Sequence, residues 1–254
     1  MDLMRSSILL ETDYEDYYDH LFLKADDPHA PADAIRYVRN KKDEIPRKHL
    51  FSVLHSHRLL TPPHGIVKDL RLSMDMKQAV VVFTEPSKHS GGQKHVMGYQ
   101  EALMKHSKEF MTVFSNSEPN VTYRYLVIGE RAFYLECKVK DHWDFNVNPK
   151  INIEEVEPGN ELKGCEPFPV PIYSIDFTSF KDKNGQEWMV AVDLNLAPTL
   201  KGTGIDELLY PFEIQTLIEN WFKKNPDVAP IEIPQQAKTL FPKANKSKKK
   251  KKKR

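Results

Sequence analysis

Cysteine is scarce in this chain of 254 residues. Its two copies, Cys137 and Cys165, form neither a disulfide framework nor a spaced metal-ligand pair, so a reducing compartment is the expectation. Long apolar runs are missing too. Nothing approaches the roughly 20 residues of a membrane-spanning helix, and the N-terminus lacks the basic-then-apolar order of a signal peptide. A cytoplasmic protein without a transmembrane segment is expected. Neither GxxxxGK nor GxGxxG occurs, which argues against a P-loop nucleotidase and a Rossmann dinucleotide enzyme. No internal repeat is found, so solenoid and propeller arrays are set aside.

What is present suits a globular protein: 40% hydrophobic and 29% charged residues. The formal net charge of +1 hides an asymmetry, because nine of the 37 basic residues lie in 243–254, where no acid occurs. The other 28 face 36 acids, leaving the body at −8. A block of like charge repels itself and stays disordered. It fits nucleic acid, an anionic surface or an import receptor as partner, or simple solubilisation, and says nothing about the chemistry of the body.

The most informative stretch is 173–204. YSIDFTSF and EWMVAVDLN read as strands joined at Lys183-Asn184-Gly185, since an Asn-Gly pair between alternating apolar residues is a strong hairpin signal. Asp176 then neighbours Asp193 and Asn195, and the last two share a face because they are two residues apart on a strand. Carboxylates among apolar neighbours are costly unless something cationic joins them. A hard cation such as Mg2+ takes such oxygens, usually with phosphate oxygens beside them. The plainer alternative is a set of ordinary strand-end polar residues.

With Pro198 and Gly202-Thr203-Gly204 following, this segment resembles the metal-binding end of the ATP-grasp superfamily, in which an acid on one strand and acid-x-Asn on the next hold the magnesium of ATP. Other stretches resemble the family in its own order. A helix is predicted from Arg47 on, with Leu50, Val53 and Leu54 apolar and Pro62-Pro63 as its break, and Lys48 matches the family's first phosphate-contacting lysine. The apolar strand 79–83 runs into TEPSKHSGGQKHV. A Ser- and Gly-rich turn after a strand offers backbone N–H groups to an anion, and this one resembles the flexible glycine-rich loop of synapsin-like and glutathione-synthetase-like branches. The resemblance implies Lys88, Ser90, Gly91 and Gly92 as ATP contacts. Glu85 stands where the family has its second phosphate lysine, a departure that repels polyphosphate and leaves that task to Lys88 or Lys94, or weakens nucleotide binding.

A helix is predicted over 99–110 with Leu103, Met104 and Phe110 inward, followed by a strand at 111–114, which in the family carries the hinge that reads adenine. TYRYLVIGERAFYLECKV reads as two strands about Gly129-Glu130; Arg124 matches the family's phosphate-binding arginine, with Lys138 a weaker candidate. Residues 141–171, with five prolines, read as a long connection suited to acceptor recognition. The stretch 205–224 reads as one closing helix, most of its apolar positions core. Near the start, 6–11 reads as a strand and 13–22 as an acidic, aromatic helix or turn. Asp13, Asp16, Asp19 and His20 make a solvated face there more readily than a metal site. His55, His57 and His64 read as surface or capping residues.

The resemblance implies an α+β fold of two antiparallel-sheet subdomains clasping ATP. It would comprise a reduced N-terminal segment at 1–45, the ATP-grasp domain at 46–224, and a Pro-rich then Lys-rich disordered tail at 225–254. It implies ATP and Mg2+ as cofactors, with Asp176, Asp193 and Asn195 on the metal and Arg124 at the transferred phosphoryl group. The activity implied is ligation of a carboxylate to an amine acceptor through an acylphosphate. A non-catalytic ATP-binding protein, and a nucleic-acid-associated protein acting through its tail, are the alternatives.

Overall fold

The computed structural model describes residues 45–70, 75–88, 91–114, 120–138, 150–158, 167–181, 185–196, 198, 200 and 203–226. The expected elements at 6–11 and 13–22, the Lys183-Asn184 half of the hairpin turn, and the basic tail lie outside them.

The chain opens with helix α1 (Arg47–Ser56) and then lays down strand β1 (His64–Ile66), a 3-10 turn at Val67–Leu70, β2 (Ala79–Phe83) and β3 (Lys94–Gly98). Helix α2 (Tyr99–Lys105) and β4 (Phe110–Val113) complete a first unit. Its sheet has the order β1-β4-β2-β3, and each pairing is antiparallel. A second sheet follows from β5 (Val121–Ile128), β6 (Arg131–Lys138), β7 (Lys150–Val156), β8 (Ile172–Lys181) and β9 (Glu187–Asn195), ordered β7-β6-β5-β8-β9 and again antiparallel. Helices α3 (Ile205–Leu208) and α4 (Pro211–Lys224) close the described part. The architecture is α+β with two antiparallel sheets, as expected.

The sheets share one core. Leu50, Phe51, Val53 and Leu54 of α1 are buried with Phe83 and Phe110 of the first sheet and with Tyr125, Tyr173, Ile175, Phe177, Ala191 and Leu194 of the second. Phe51 stacks on His64 at 4.8 Å and on Phe110 at 6.0 Å. His64, expected at the surface, is therefore a core residue whose Nδ1 lies 2.9 Å from the Pro62 carbonyl. The other face of the second sheet carries Leu126, Ile128, Phe133 and Leu135 against Leu209, Ile214 and Ile218. Edge strand β9 is covered where the Ala191 N–H donates to the Leu60 carbonyl at 2.8 Å, so the segment after α1 lies along it.

Four expectations are corrected. Helix α2 ends at Lys105, and Phe110 belongs to β4; Met104 is exposed while Tyr99 and Ala102 are buried. The inner face of α2 is Tyr99 and Ala102 with Leu103 packed partly buried beside them, so of the predicted inward set Leu103 faces the core, Met104 does not, and Phe110 is buried in the strand instead. The connection 141–171 contains β7, whose Ile151 and Ile153 alternate with exposed residues and pack beneath the C-terminal elements. The closing helix is two, because Pro211 has no N–H to continue α3 and opens α4 instead, with the Tyr210 N–H held by Glu213 Oε2 at 2.8 Å. Strand β4 lies between β1 and β2, and both its edges are paired, so its backbone is not open to an adenine edge as expected.

Gly129, at φ 59°, turns β5 into β6, and a Cβ there would lie 2.6 Å from the Leu217 carbonyl oxygen of α4. Gly185 has φ 80° but open space around it. Gly185→Ala carries only left-handed strain, roughly 1 kcal/mol, whereas Gly129→Ala adds a collision with backbone and is expected to lose about 3 kcal/mol or more. Urea denaturation of the two variants measures the difference; equal losses would show that α4 yields at no cost.

Candidate functional site

Strand register assembles the polar residues. Arg124 on β5 lies opposite Asp176 on β8, and Asp176 opposite Asp193 on β9. Two positions further along, Leu126 lies opposite Ser174, and Ser174 opposite Asn195. Residues directly opposite in a sheet, and residues two apart on a strand, share a face. Arg124, Asp176 and Asp193 therefore form one row, with Ser174 and Asn195 beside the two carboxylates. The three predicted metal ligands and the predicted phosphate arginine are brought together.

A bulge shapes one corner. Pairing passes from Asp176 opposite Asp193 to Phe177 opposite Ala191, leaving Val192 extra on β9. Bulges re-aim side chains and recur beside functional sites. Here Arg47 of α1 collects the result: its Nη1 donates to the Val192 carbonyl at 3.2 Å and to Asp193 Oδ1 at 3.1 Å, and its Nη2 to Asp193 Oδ2 at 3.3 Å. Arg124 grips Asp176 the same way, from Nε to Oδ1 at 2.7 Å and from Nη2 to Oδ2 at 3.0 Å. Each carboxylate of the row thus carries a two-pronged guanidinium. Burial alone would lower the affinity of Arg124 for its proton, but the Asp176 charge and hydrogen bonds, with smaller help from Cys137 and Asp193, raise it well above the usual range. The neighbouring Cys137 thiol is pushed up by burial, which Arg124 opposes.

Arg47 also meets the glycine-rich loop. Its guanidinium lies over the Phe83 ring at 5.4 Å, and its backbone N–H donates to the Lys88 carbonyl at 3.0 Å while that of Lys48 donates to Pro86. Loop carbonyls therefore cap the first donors of α1, since Pro46 at the N-cap supplies no side-chain oxygen. Gly91 and Gly92 have φ 73° and 72°. A Cβ on Gly91 would lie 2.6 Å from Phe83 and 3.2 Å from Arg47, and one on Gly92 would lie 2.8 Å from Glu85, so close approach as well as backbone angle demands glycine. The loop is closed on itself: Glu85 N–H donates to the Gly91 carbonyl, Lys88 N–H to Glu85, and Gly91 N–H to Lys88.

The remaining predicted contacts are more scattered. Lys88 Nζ lies 2.8 Å from Glu85 Oε1 at the exposed surface, so the residue that departs from the family pattern holds the lysine expected to replace it. Lys48 is half-buried on the first turn of α1, Lys94 is exposed at the start of β3, and Lys138 pairs with Glu136 at 2.7 Å. Ser90 lies outside the described residues. Sequence reasoning missed two members. Arg47 stands one residue before the lysine that was singled out, and only its near-complete burial separates it from an ordinary helix-opening cation. Ser174, two before Asp176 in the same alternation, is fully buried with its Oγ unpartnered.

Asp176, Asp193 and Asn195 supply hard oxygen donors, and the orphaned Ser174 Oγ adds a polar atom in want of a partner, a set that suits Mg2+ and the phosphate beside it. Among the described residues no group of three or more His, Cys, Asp or Glu is gathered for a metal; here two acids are joined by an amide.

No family model matches the chain, and no curated protein matches it. It is similar to solved structures at low identity. One is the ATP-grasp ligase PsnB complexed with minimal precursor, at 11% identity and a TM-score of 0.42, covering 74% of this chain and 62% of that one. The macrocyclase MdnC bound with precursor peptide MdnA, from Microcystis aeruginosa MRC, gives 11% and 0.46, covering 87% and 73%. A Chryseobacterium gregarium RiPP-associated ATP-grasp ligase in complex with ADP and a leader and core peptide gives 12% and 0.44, covering 75% and 61%. The chain thus spans about three-fifths to three-quarters of the length of these structures. With TM-scores under 0.5, the weight rests on the chain's own residues.

Removing one member of a buried ion pair strands the other, at a cost on the order of 3 kcal/mol. Arg47→Met and Asp193→Asn are each expected to lose about that in urea denaturation. The double variant should lose less than their sum by roughly 1–3 kcal/mol, and strict additivity would show that the pair is not coupled. Arg47→Lys should not restore stability, because an ammonium cannot reproduce the two-pronged contact.

Proposed function

We propose that the chain belongs to the ATP-grasp superfamily and is an ATP- and Mg2+-dependent ligase that joins a carboxylate to an amine or similar nucleophile. One observation carries the reading: strand register puts Arg124, Asp176, Asp193 and Asn195 on one face, and Arg47 links that row to a loop whose two glycines are required by close packing. We assign 46–224 to the nucleotide-binding unit, 1–45 to a reduced N-terminal segment and 225–254 to a tail.

When bound, Mg2+ would spread the charge that develops on the transferred phosphoryl group. The residues of this chain do the rest. Arg124 presents a planar fork that matches phosphate oxygens, and it carries its charge at any accessible pH. Arg47 presents a second fork from the other side of Asp193. Asp176, Asp193 and Asn195 would hold the cation, with the buried Ser174 Oγ beside them as a further polar atom. Gly91 and Gly92 let the loop backbone come close to phosphate once its internal hydrogen bonds open, and the loop then excludes water. Catalysis of this kind is positioning and electrostatic stabilisation, with little covalent work for the protein.

A non-catalytic nucleotide-binding protein is the second reading, favoured by the Glu85–Lys88 pair, which takes up the loop lysine at the surface. Calorimetric titration with Mg-ATP is expected to give one site, weakened at least tenfold by Asp176→Asn combined with Asn195→Ala. Absence of binding at millimolar Mg-ATP would sink both readings. ADP release stimulated by a panel of amino acids and peptides bearing free carboxylates and amines separates the two, since the second reading expects none.

A further inference from the structure

His95 and His106 meet on the first unit, away from the polar row. Their rings are 5.6 Å apart between centres and within 17° of parallel. His95 is the second residue of β3, the strand onto which the glycine-rich loop leads, and His106 caps the C-terminal end of α2. Both backbones are fixed. His95 lies opposite Val82 in the β2–β3 ladder. The His106 N–H donates to the Ala102 carbonyl at 2.8 Å, and the His106 carbonyl accepts from the Glu109 N–H at 3.0 Å. Both residues are half-buried, and their ring nitrogens carry no hydrogen bond to a described residue.

Neutral imidazole is a ligand for borderline divalent ions such as Zn2+, Ni2+ and Cu2+. With a metal–nitrogen bond of about 2.0–2.1 Å, a bound ring has its centre roughly 3.2 Å from the metal. Two rings with centres 5.6 Å apart then meet at the metal at roughly 120°, close to the tetrahedral angle. The χ2 torsion of His is soft and turns the ring about an axis through its centre, so the nitrogens can be aimed without changing that spacing or moving either backbone. Among the described residues no third His, Cys, Asp or Glu completes a ligand group, which leaves the other positions to water or a further ligand. An acid does stand near. The Glu101 carboxyl is held below its usual range by its hydrogen bond to Lys105 first and by His106 less strongly, and a carboxylate is the kind of neighbour that steadies a metal-bound imidazole.

We propose that His95 and His106 form a two-imidazole site for a borderline divalent transition metal, and that the bound ion ties β3 to the end of α2. Neither residue belongs to the row on β5, β8 and β9, so the site stands apart from the ligase reading. Among the described strands β3 is at the edge of its sheet with β2 as its neighbour. Its loop-side end is held by the pairing of Lys94 with Phe83 and by the Thr84 N–H on the Gln93 carbonyl at 3.3 Å, so a tie to α2 would steady the exit of the glycine-rich loop. Half the protein ligands of a structural zinc site correspond to a dissociation constant on the order of 1–100 μM. Mg2+ prefers oxygen and is not expected there.

The test titrates the full chain, first stripped with a chelator, with Zn2+ by calorimetry in excess Mg2+. One event in that micromolar range is expected, and His95→Gln and His106→Gln should each weaken it roughly tenfold or more. Neither side chain belongs to an apolar core, so both variants should fold, which matching metal-free melting curves check. Amide hydrogen exchange over 94–98 should slow several-fold with Zn2+ in the wild type and stay unchanged in the variants. Cu2+ on the wild type should show electron paramagnetic couplings from two imidazole nitrogens, a measurement that needs no variant. No Zn2+ binding below about 1 mM, an affinity untouched by either substitution, or a Cu2+ spectrum without imidazole nitrogens would overturn the site. Binding that leaves exchange in β3 unaltered would overturn the tie.

Discussion

A buried guanidinium must find its acceptors inside the protein, and the position of Arg47 makes that requirement structural. It stands at the start of a helix with no capping side chain, beneath a loop with no side chains at its closest point, against a strand edge with one residue too many. Each irregularity answers another. The extra residue on β9 turns a carbonyl and a carboxylate toward the arginine, the loop carbonyls receive the first N–H groups of the helix, and Gly91 leaves room for the stem of the side chain. The two sheets meet where these needs are met together, and the apolar core they share lies directly behind.

This arrangement gives the carboxylates of β8 and β9 a meaning that differs from the first impression. Two acids facing each other across a strand pair would repel, and a cation is the simplest remedy. The chain supplies its own cations, from a helix at one side and a neighbouring strand at the other. What results is a hydrogen-bonded patch in which each of the two carboxylates is held by a guanidinium. The surface pair of Glu85 and Lys88 repeats the pattern on a smaller scale, but in water, where such a pair contributes little.

Much of the fold was legible because it is local. Alternation around Gly129 and the apolar run at 79–83 announce strands from a few residues, and the alternation of 173–180 with 187–195 sets which side chains share a face. Short elements were harder. β1 is three residues long and β3 begins inside what reads as the glycine-rich loop, so neither offers a full period. β7 was hidden by the prolines on both sides of it. Pro211 was the available sign that the last helix is broken. For the site, the oxygen ligands and Arg124 lie on regular strands and could be placed by counting. Arg47 could not. Its partner lies 146 positions further on, and no local period carries that distance.

That separation has a consequence for how the chain comes into being. Synthesised from its N-terminus, the protein completes α1, the glycine-rich loop and the whole first sheet before β9 exists. Throughout that interval Arg47 lacks the Asp193 carboxylate and the Val192 carbonyl, so the helix start and the loop above it wait for part of their final support. Hairpins such as β5-β6 close early because their loops are short, whereas the clamp at Asp193 waits on a closure across 146 positions. The nascent first sheet is thus an unfinished surface, with the aromatic side chains of α1 and β4 uncovered, until the last hairpin arrives to seal it.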